Sequence, residues 1–212
     1  MSYGPHPSAK LRALFEARPF QGAEPSSARF LFFGLDANFA LDIEATDSFP
    51  DVCDYLQDGV RFWRDRKKHH PFLLTTYQGS GRGYHKQFEK IGFTPEHASQ
   101  VSFVEVLDVP THGSGRPPIS LLHAEHLTRL EEWVNCGAAQ YVFMPQSVIA
   151  LLHKVKRFVW LNSNAVSQRG SLPILHETIR TTIFSPYHFS YRYASRAIRE
   201  QQLSDIGRLI DG

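Results

Sequence analysis

A chain of 212 residues, 42% of them hydrophobic, can build one domain with a real core and leaves little room for a second. No run approaches the ~20 apolar residues of a membrane-spanning helix, and the opening MSYGPHPSAK is polar and Pro-rich where a secretory signal would be charged and then apolar. Two cysteines, Cys53 and Cys136, exclude a four-cysteine metal or iron–sulfur site and fit a reducing, bacterial-type cytosol, while a net charge of +2 permits a nucleic-acid partner through local patches without demanding one.

Residues 8–17 (SAKLRALFEA) have helical spacing, with Ser8 placed to cap. A Gly-, Pro- and Ser-rich loop follows from Pro19 to Ser27. Residues 1–28 therefore read as an N-terminal helix and arm, and 29–212 as the main domain. RFLFFGLD is an apolar run ending in Gly, the pattern of a fully buried strand. Residues 50–68 predict one helix, with Pro50 at its start and a basic cluster of Arg64, Arg66, Lys67 and Lys68 at its end. YQGSGRG predicts a flexible loop, and YHKQFEKIGF a helix stopped by Gly92. VSFVEVLDV reads as a second buried strand, followed by the loop THGSGRPP. Ser120 is placed to cap an amphipathic helix through Leu122, Leu127, Leu130, Trp133 and Val134, stopped at Gly137. QYVFM predicts a third strand, QSVIALLHKV a helix, RFVWLN a short fourth strand and IRTTIFS a fifth, which leads through SPYHFSYR into a C-terminal helix. Strands alternating with helices predict a single-domain, three-layer α/β/α sandwich around a mostly parallel sheet of four or five strands. In such sheets the site lies beyond the carboxyl ends of the strands.

Three strand ends carry chemistry. The first is Gly34-Leu35-Asp36-Ala37-Asn38-Phe39, the second holds Asp108 with Thr111 and His112, and the last is Ser185-Pro186-Tyr187-His188-Phe189-Ser190. One Asp after a strand is as often a turn residue as a catalyst. Two acids and a histidine on one sheet edge point to an α/β enzyme of hydrolytic or lytic type.

These segments resemble the two-part active site of the uracil-DNA glycosylase superfamily. Its first motif is a buried strand followed by Gly-x-Asp-Pro or Gly-x-Asn-Pro, and here Gly34-Leu35-Asp36-Ala37 follows FLFF. Its second motif, in the branch that carries an iron–sulfur cluster, reads Tyr-His-Pro-Ser-Tyr, and here Tyr187-His188-Phe189-Ser190-Tyr191 follows a strand. GSGRGYHKQFEKIGF is similar to that branch's Gly-rich loop and helix, and the order of strands agrees over roughly residues 29–200. The resemblance implies a monofunctional enzyme of base excision repair that flips uracil out of DNA and hydrolyses its N-glycosidic bond to leave an abasic site. Asp36 would position water and stabilise the oxocarbenium-like sugar. His188 would donate to uracil O2 as charge collects there. Gly34, Leu35, Asn38, Phe39, Phe49, Phe72 and Asp108 would form the base pocket. Ser185 and Ser190 would meet phosphates with Arg82 and Arg116, and Tyr191-Arg192 would wedge the duplex.

Three positions depart from the family pattern. Ala37 replaces the motif's Pro, and Asn38 stands where an aromatic excludes the thymine methyl group; Asn38 either takes over that task or helps to position water. Asp108 stands where the family reads uracil with Asn. An ionised Asp108 only accepts and suits the cytosine amino group, whereas a protonated one imitates Asn. Phe39, Phe49 and Phe72 compete as the ring that stacks on the base. The cluster cysteines are missing, so no iron and no other cofactor is expected. His123 and His126 lie three apart on a helix, but no further ligand is near them in sequence, so a polar helix face is expected rather than a metal site. Neither motif contains a lysine for a Schiff-base step. The expected partner is uracil-containing DNA, bound by a monomer without membrane or metal. The alternatives are a glycosylase for hypoxanthine or another deaminated or mismatched base, and a module that holds uracil or abasic DNA without turnover. A small-molecule hydrolase is disfavoured because no Gly-x-Ser-x-Gly elbow is present.

Overall fold

The computed structural model of the chain describes residues 3–191 and 194–212. A short strand β1 (Gly4–Pro5) precedes helix α1 (Ala9–Ala17), which starts where Ser8 Oγ accepts the Leu11 amide at 3.1 Å. Strands β2 (Phe20–Gly22) and β3 (Phe30–Gly34) follow. The single helix expected over 50–68 is two, α2 (Phe49–Gln57) and α3 (Gly59–Arg66). Asp58 breaks it by leaving helical geometry (φ −152°, ψ 87°) and then caps α3 by accepting the Arg61 amide at 2.9 Å. Gly59 opens α3 close against β2: a Cβ there would stand 2.8 Å from the Gly22 backbone.

The rest of the chain runs α4 (Arg82–Glu89), β4 (Val101–Glu105), β5 (Thr111–His112), α5 (Ala124–Cys136), β6 (Tyr141–Phe143), α6 (Gln146–Lys154), β7 (Ser167–Arg169), β8 (Leu172–Glu177), β9 (Thr182–Phe184) and α7 (Arg196–Gly207). Two expectations fail locally. Ser120 lies in a single 3-10 turn, Ile119–Leu121, and α5 begins only after His123. RFVWLN is not a strand: Phe158 takes a left-handed backbone (φ 50°), and Phe158 and Leu161 anchor a turn into the core beside α6. A short apolar run reads the same from sequence whether it is a strand or a buried loop anchor.

Among the described residues the main sheet has seven strands in the order β2-β4-β3-β6-β9-β8-β7, not four or five. The four expected central strands, β4, β3, β6 and β9, are parallel. β2 pairs antiparallel with β4 at one edge, and β8 and β7 extend the other edge as an antiparallel hairpin. These additions escape sequence reading because β2 lies in the Pro/Gly/Ser-rich arm and β7 is exposed at every residue. The sheet therefore begins at residue 20, before the expected domain start at 29.

Alternation along β3 builds the layers. Leu31 and Phe33 pack with Leu127, Leu130 and Trp133 of α5 and Val148, Ile149 and Leu152 of α6. Phe30 and Phe32 point the other way, onto Trp63 of α3, Phe88 of α4 and Leu203 and Ile206 of α7. A stacked ladder of rings crosses the parallel strands in register. Phe32 lies 4.6 Å from Phe143 (15° between planes), and Phe143 lies 5.6 Å from Phe184 (16°). A third cluster, with Leu11, Phe15, Val52, Tyr55, Phe39, Phe72 and Tyr77, closes off the carboxyl end of the sheet. No helix among the described residues is long and apolar enough to cross a membrane.

Candidate active site at the strand ends

The segment after β3 is fixed by its backbone. The Val106 and Leu107 amides donate to the Gly34 and Leu35 carbonyls at 3.1 Å, the Thr111 amide to Ala37 O at 2.9 Å, and the Phe39 amide to Thr111 O at 2.9 Å. Gly34 leaves room for its partner in register on β4: a Cβ there would stand 2.1 Å from Oε2 of Glu105, so the Glu105 side chain would have to move.

This frame presents Asp36. Its Oδ2 accepts from the Tyr3 hydroxyl at 3.0 Å, from Asn38 Nδ2 at 3.4 Å and from Thr111 Oγ1 in a short contact. Tyr3 arrives on the arm, held by the pairing of β1 with β5. Burial, and then the Asp36 charge, push the Tyr3 phenol upward, so it remains a donor at all ordinary pH. Asn38 also donates to Gly113 O and Thr111 Oγ1, both at 3.1 Å, so its amide nitrogen ties Asp36 to the neighbouring loop.

His188 follows β9. Its Nδ1 accepts the Ser190 amide at 3.2 Å, which leaves the proton of the neutral ring on Nε2. Burial lowers its pKa, partly opposed by the Asp36 charge, so the ring is neutral at neutral pH and donates through Nε2. The ring lies beside Tyr84, with centroids 5.2 Å apart.

Asp36 and His188 wall one cavity of about 350 Å³. Gly34, Leu35, Asn38, Phe39 and Phe72 also line it, as the sequence reading expects, and so do Ala37 and Ser190, the latter expected at a phosphate. Phe72 stacks on Tyr77 at 3.9 Å and meets Phe39 edge-on at 5.9 Å, so both rings are wedged within the third apolar cluster. The sequence reading misses the polar wall: Glu105, Gln21, His70 and His85. His70 stacks on His85 at 3.6 Å, its Nε2 faces Gln21 Oε1 at 3.1 Å, and its Nδ1 accepts the Phe72 amide at 3.2 Å. His69 Nε2 faces His85 Nδ1 at 3.1 Å. Burial drives all three imidazoles down, His85 to about 3, so this wall is polar but uncharged at neutral pH. Glu105 is pushed up to about 8, chiefly by burial and then by Asp36, and its Oε2 is shielded from solvent without a hydrogen-bond partner. A signal for Glu105 is present in the sequence: it is the acid inside the apolar run VSFVEV, where an unpaired charge is costly.

Several expected site residues lie elsewhere. β4 ends at Glu105, so Asp108 falls beyond the cavity wall, and its carboxylate pairs with exposed His123 at 2.7 Å. Phe49 sits in α2 beneath the Lys10 ammonium (5.5 Å) and not on the cavity wall. Ser185 is buried, and its Oγ accepts from Gln146 Nε2 at 3.1 Å, which withdraws it from a phosphate-facing surface. Arg82 turns inward to donate to Tyr77 O at 3.3 Å and Leu73 O at 3.5 Å. Arg116 is exposed in the loop after β5. Tyr191 is exposed and stacks on Tyr187 at 5.5 Å; Arg192 lies outside the described residues. In the basic helix end, Arg61 pairs with Asp54, Arg66 with Asp51 at 2.9 Å and Lys68 with Glu89 at 2.7 Å. His126 is buried with Nε2 on Glu105 O at 2.9 Å, so the two helix histidines have separate partners. No protein-family model matches the chain, and no curated protein matches it.

Proposed function

We propose that this protein is a monofunctional uracil-DNA glycosylase. It receives a uracil flipped out of DNA and hydrolyses the bond between the base and the sugar, leaving an abasic site. The observation that supports this most is the meeting of Asp36 and a neutral, Nε2-protonated His188 on one cavity, from the ends of two parallel strands. Water positioned by the Asp36 carboxylate adds to C1′ as the C1′–N1 bond breaks, and Asp36 takes the water's proton. The bonding pair leaves with the base, and the charge gathers on O2, where His188 Nε2–H donates. The released anion takes a proton from solvent. A cavity of about 350 Å³ exceeds the roughly 150 Å³ that holds one six-membered ring, so a base and part of its sugar can enter. No lysine among the described residues lines it, which disfavours a Schiff-base lyase step.

The test is incubation with duplexes carrying uracil, hypoxanthine, a T:G mismatch or only normal bases, followed by alkaline cleavage of abasic sites. Scission at uracil is expected, with a loss of about 10²–10⁴-fold in Asp36→Ala and in His188→Ala. Full activity in either variant overturns that role. Tight retention of uracil-DNA without scission replaces the enzyme with a binding module.

A further inference from the structure

The polar wall of the cavity has no task in bond cleavage, yet it contains an acid with a buried oxygen that lacks a hydrogen-bond partner. Glu105 ends β4, sits against Gly34 and faces the same space as Asp36 and His188. Its Oε2 is buried with no partner. A buried polar oxygen is costly unless something pairs with it; this one is packed against Gly34, while Glu105 as a whole is only half-buried and lines the cavity. We propose that Glu105 reads the base: its carboxyl pairs with a base edge carrying one N–H donor beside one acceptor, as uracil presents at N3–H and O4. This inference rests on the glycosylase reading and adds the residue that recognises the substrate.

The pairing follows from hydrogen-bond inventory. A carboxylic acid offers one donor and one acceptor, whereas a carboxylate only accepts. The acid therefore matches an edge of one donor and one acceptor, such as those of uracil and hypoxanthine, and also the reversed edge of cytosine, because its proton can sit on either oxygen. The carboxylate would repel O4 and suit an edge of two donors, such as that of guanine. The surroundings favour the acid. The charge facing Glu105 is Asp36, an anion. The Tyr3, Tyr55 and Tyr84 phenols, from the arm, α2 and α4, feel its charge and are themselves held protonated by burial. His126 from α5 meets only its backbone carbonyl. His70, His85 and His188 share the cavity as neutral rings. Burial and Asp36 raise Glu105 to about 8, so the donor is present at neutral pH and is lost as pH rises through that value.

The experiment measures two quantities in parallel for wild type, Glu105→Gln and Glu105→Ala, from about pH 6 to about pH 9.5. One is uracil excision. The other is affinity for a duplex carrying a cleavage-resistant 2′-fluorinated deoxyuridine, relative to the same duplex with guanine, whose two-donor edge the acid cannot satisfy. The Gln amide keeps a donor and an acceptor at every pH. The ratio of wild type to Gln variant is expected to be flat below about 8 and to fall toward tenfold per pH unit above it. Titration of the base itself is common to both proteins and cancels in that ratio. The Ala variant loses at least about tenfold in uracil preference throughout. Coinciding wild-type and Gln profiles overturn the inference. If uracil is excised with such coinciding profiles, the glycosylase reading survives and Glu105 is not the reader. If the ratio falls as expected in binding but nothing is excised, Glu105 stands as the reader and the enzyme reading fails.

Discussion

At Asp36, three donors reach one oxygen, and one of them, the hydroxyl of Tyr3, comes from the N-terminal arm. A carboxylate steered this way loses rotational freedom before substrate arrives, which lowers the cost of reaching a reactive geometry. Tyr3 touches no reacting atom in the proposed step, so it is a positioning residue. Tyr3→Phe is expected to lower kcat about tenfold, the worth of one hydrogen bond to a charged group, with KM and thermal midpoint nearly unchanged. A fall confined to the thermal midpoint would make Tyr3 merely a fastener of the arm. Sequence reading could not find Tyr3, because the arm is brought to Asp36 by the short pairing of β1 with β5 and by His6 on Pro110 O and Ala40 O, contacts that no local pattern announces.

Elements carry the next lesson through the contact of β3 with β4. Gly34 and Glu105 are neighbours in register, and the carboxyl fills the space a side chain would take. Gly34→Ala should therefore cost about 1–3 kcal/mol in chemical denaturation, the usual effect of overpacking. Adding Glu105→Ala should recover part of that loss, because the clashing atoms are gone. Strictly additive losses would mean that Gly34 is needed for another reason. The four parallel strands are legible because each is an apolar run, and three of them end in a chemically loaded loop. Asp36 and His188 were legible from those ends. The end of β4 is hidden because VSFVEVLDV continues apolar past Glu105, so the pattern points to Asp108 as the cavity-facing acid. The β7–β8 hairpin was invisible because an exposed edge strand has no hydrophobic pattern to read.

On the scale of the whole molecule, buried titratable groups set how stability varies with pH. His69, His70 and His85 are neutral in the fold but titrate near 6.5 when unfolded. Below that value the unfolded chain binds protons that the folded one refuses, so stability falls as pH falls. Glu105 acts in the opposite sense. Between its ordinary value of 4.5 and about 8 the folded protein holds a proton that the unfolded chain has lost, so stability falls as pH rises. Each pH unit in that window costs roughly 1.4 kcal/mol. Three histidines outweigh one glutamate on the acid side, which places maximal stability near pH 6.5. Urea denaturation across this range should show the maximum, and Glu105→Gln should abolish the decline toward pH 8. A decline of equal slope in the Gln variant would assign it to other groups. The ring ladder Phe32–Phe143–Phe184 joins β3 to β9 through β6. Asp36 and His188 extend from those two outer strands, so the ladder acts as a ruler. It sets the separation of the two strand ends, so in the proposed reaction Asp36 and His188 would face one bond without any shift of β3 against β9.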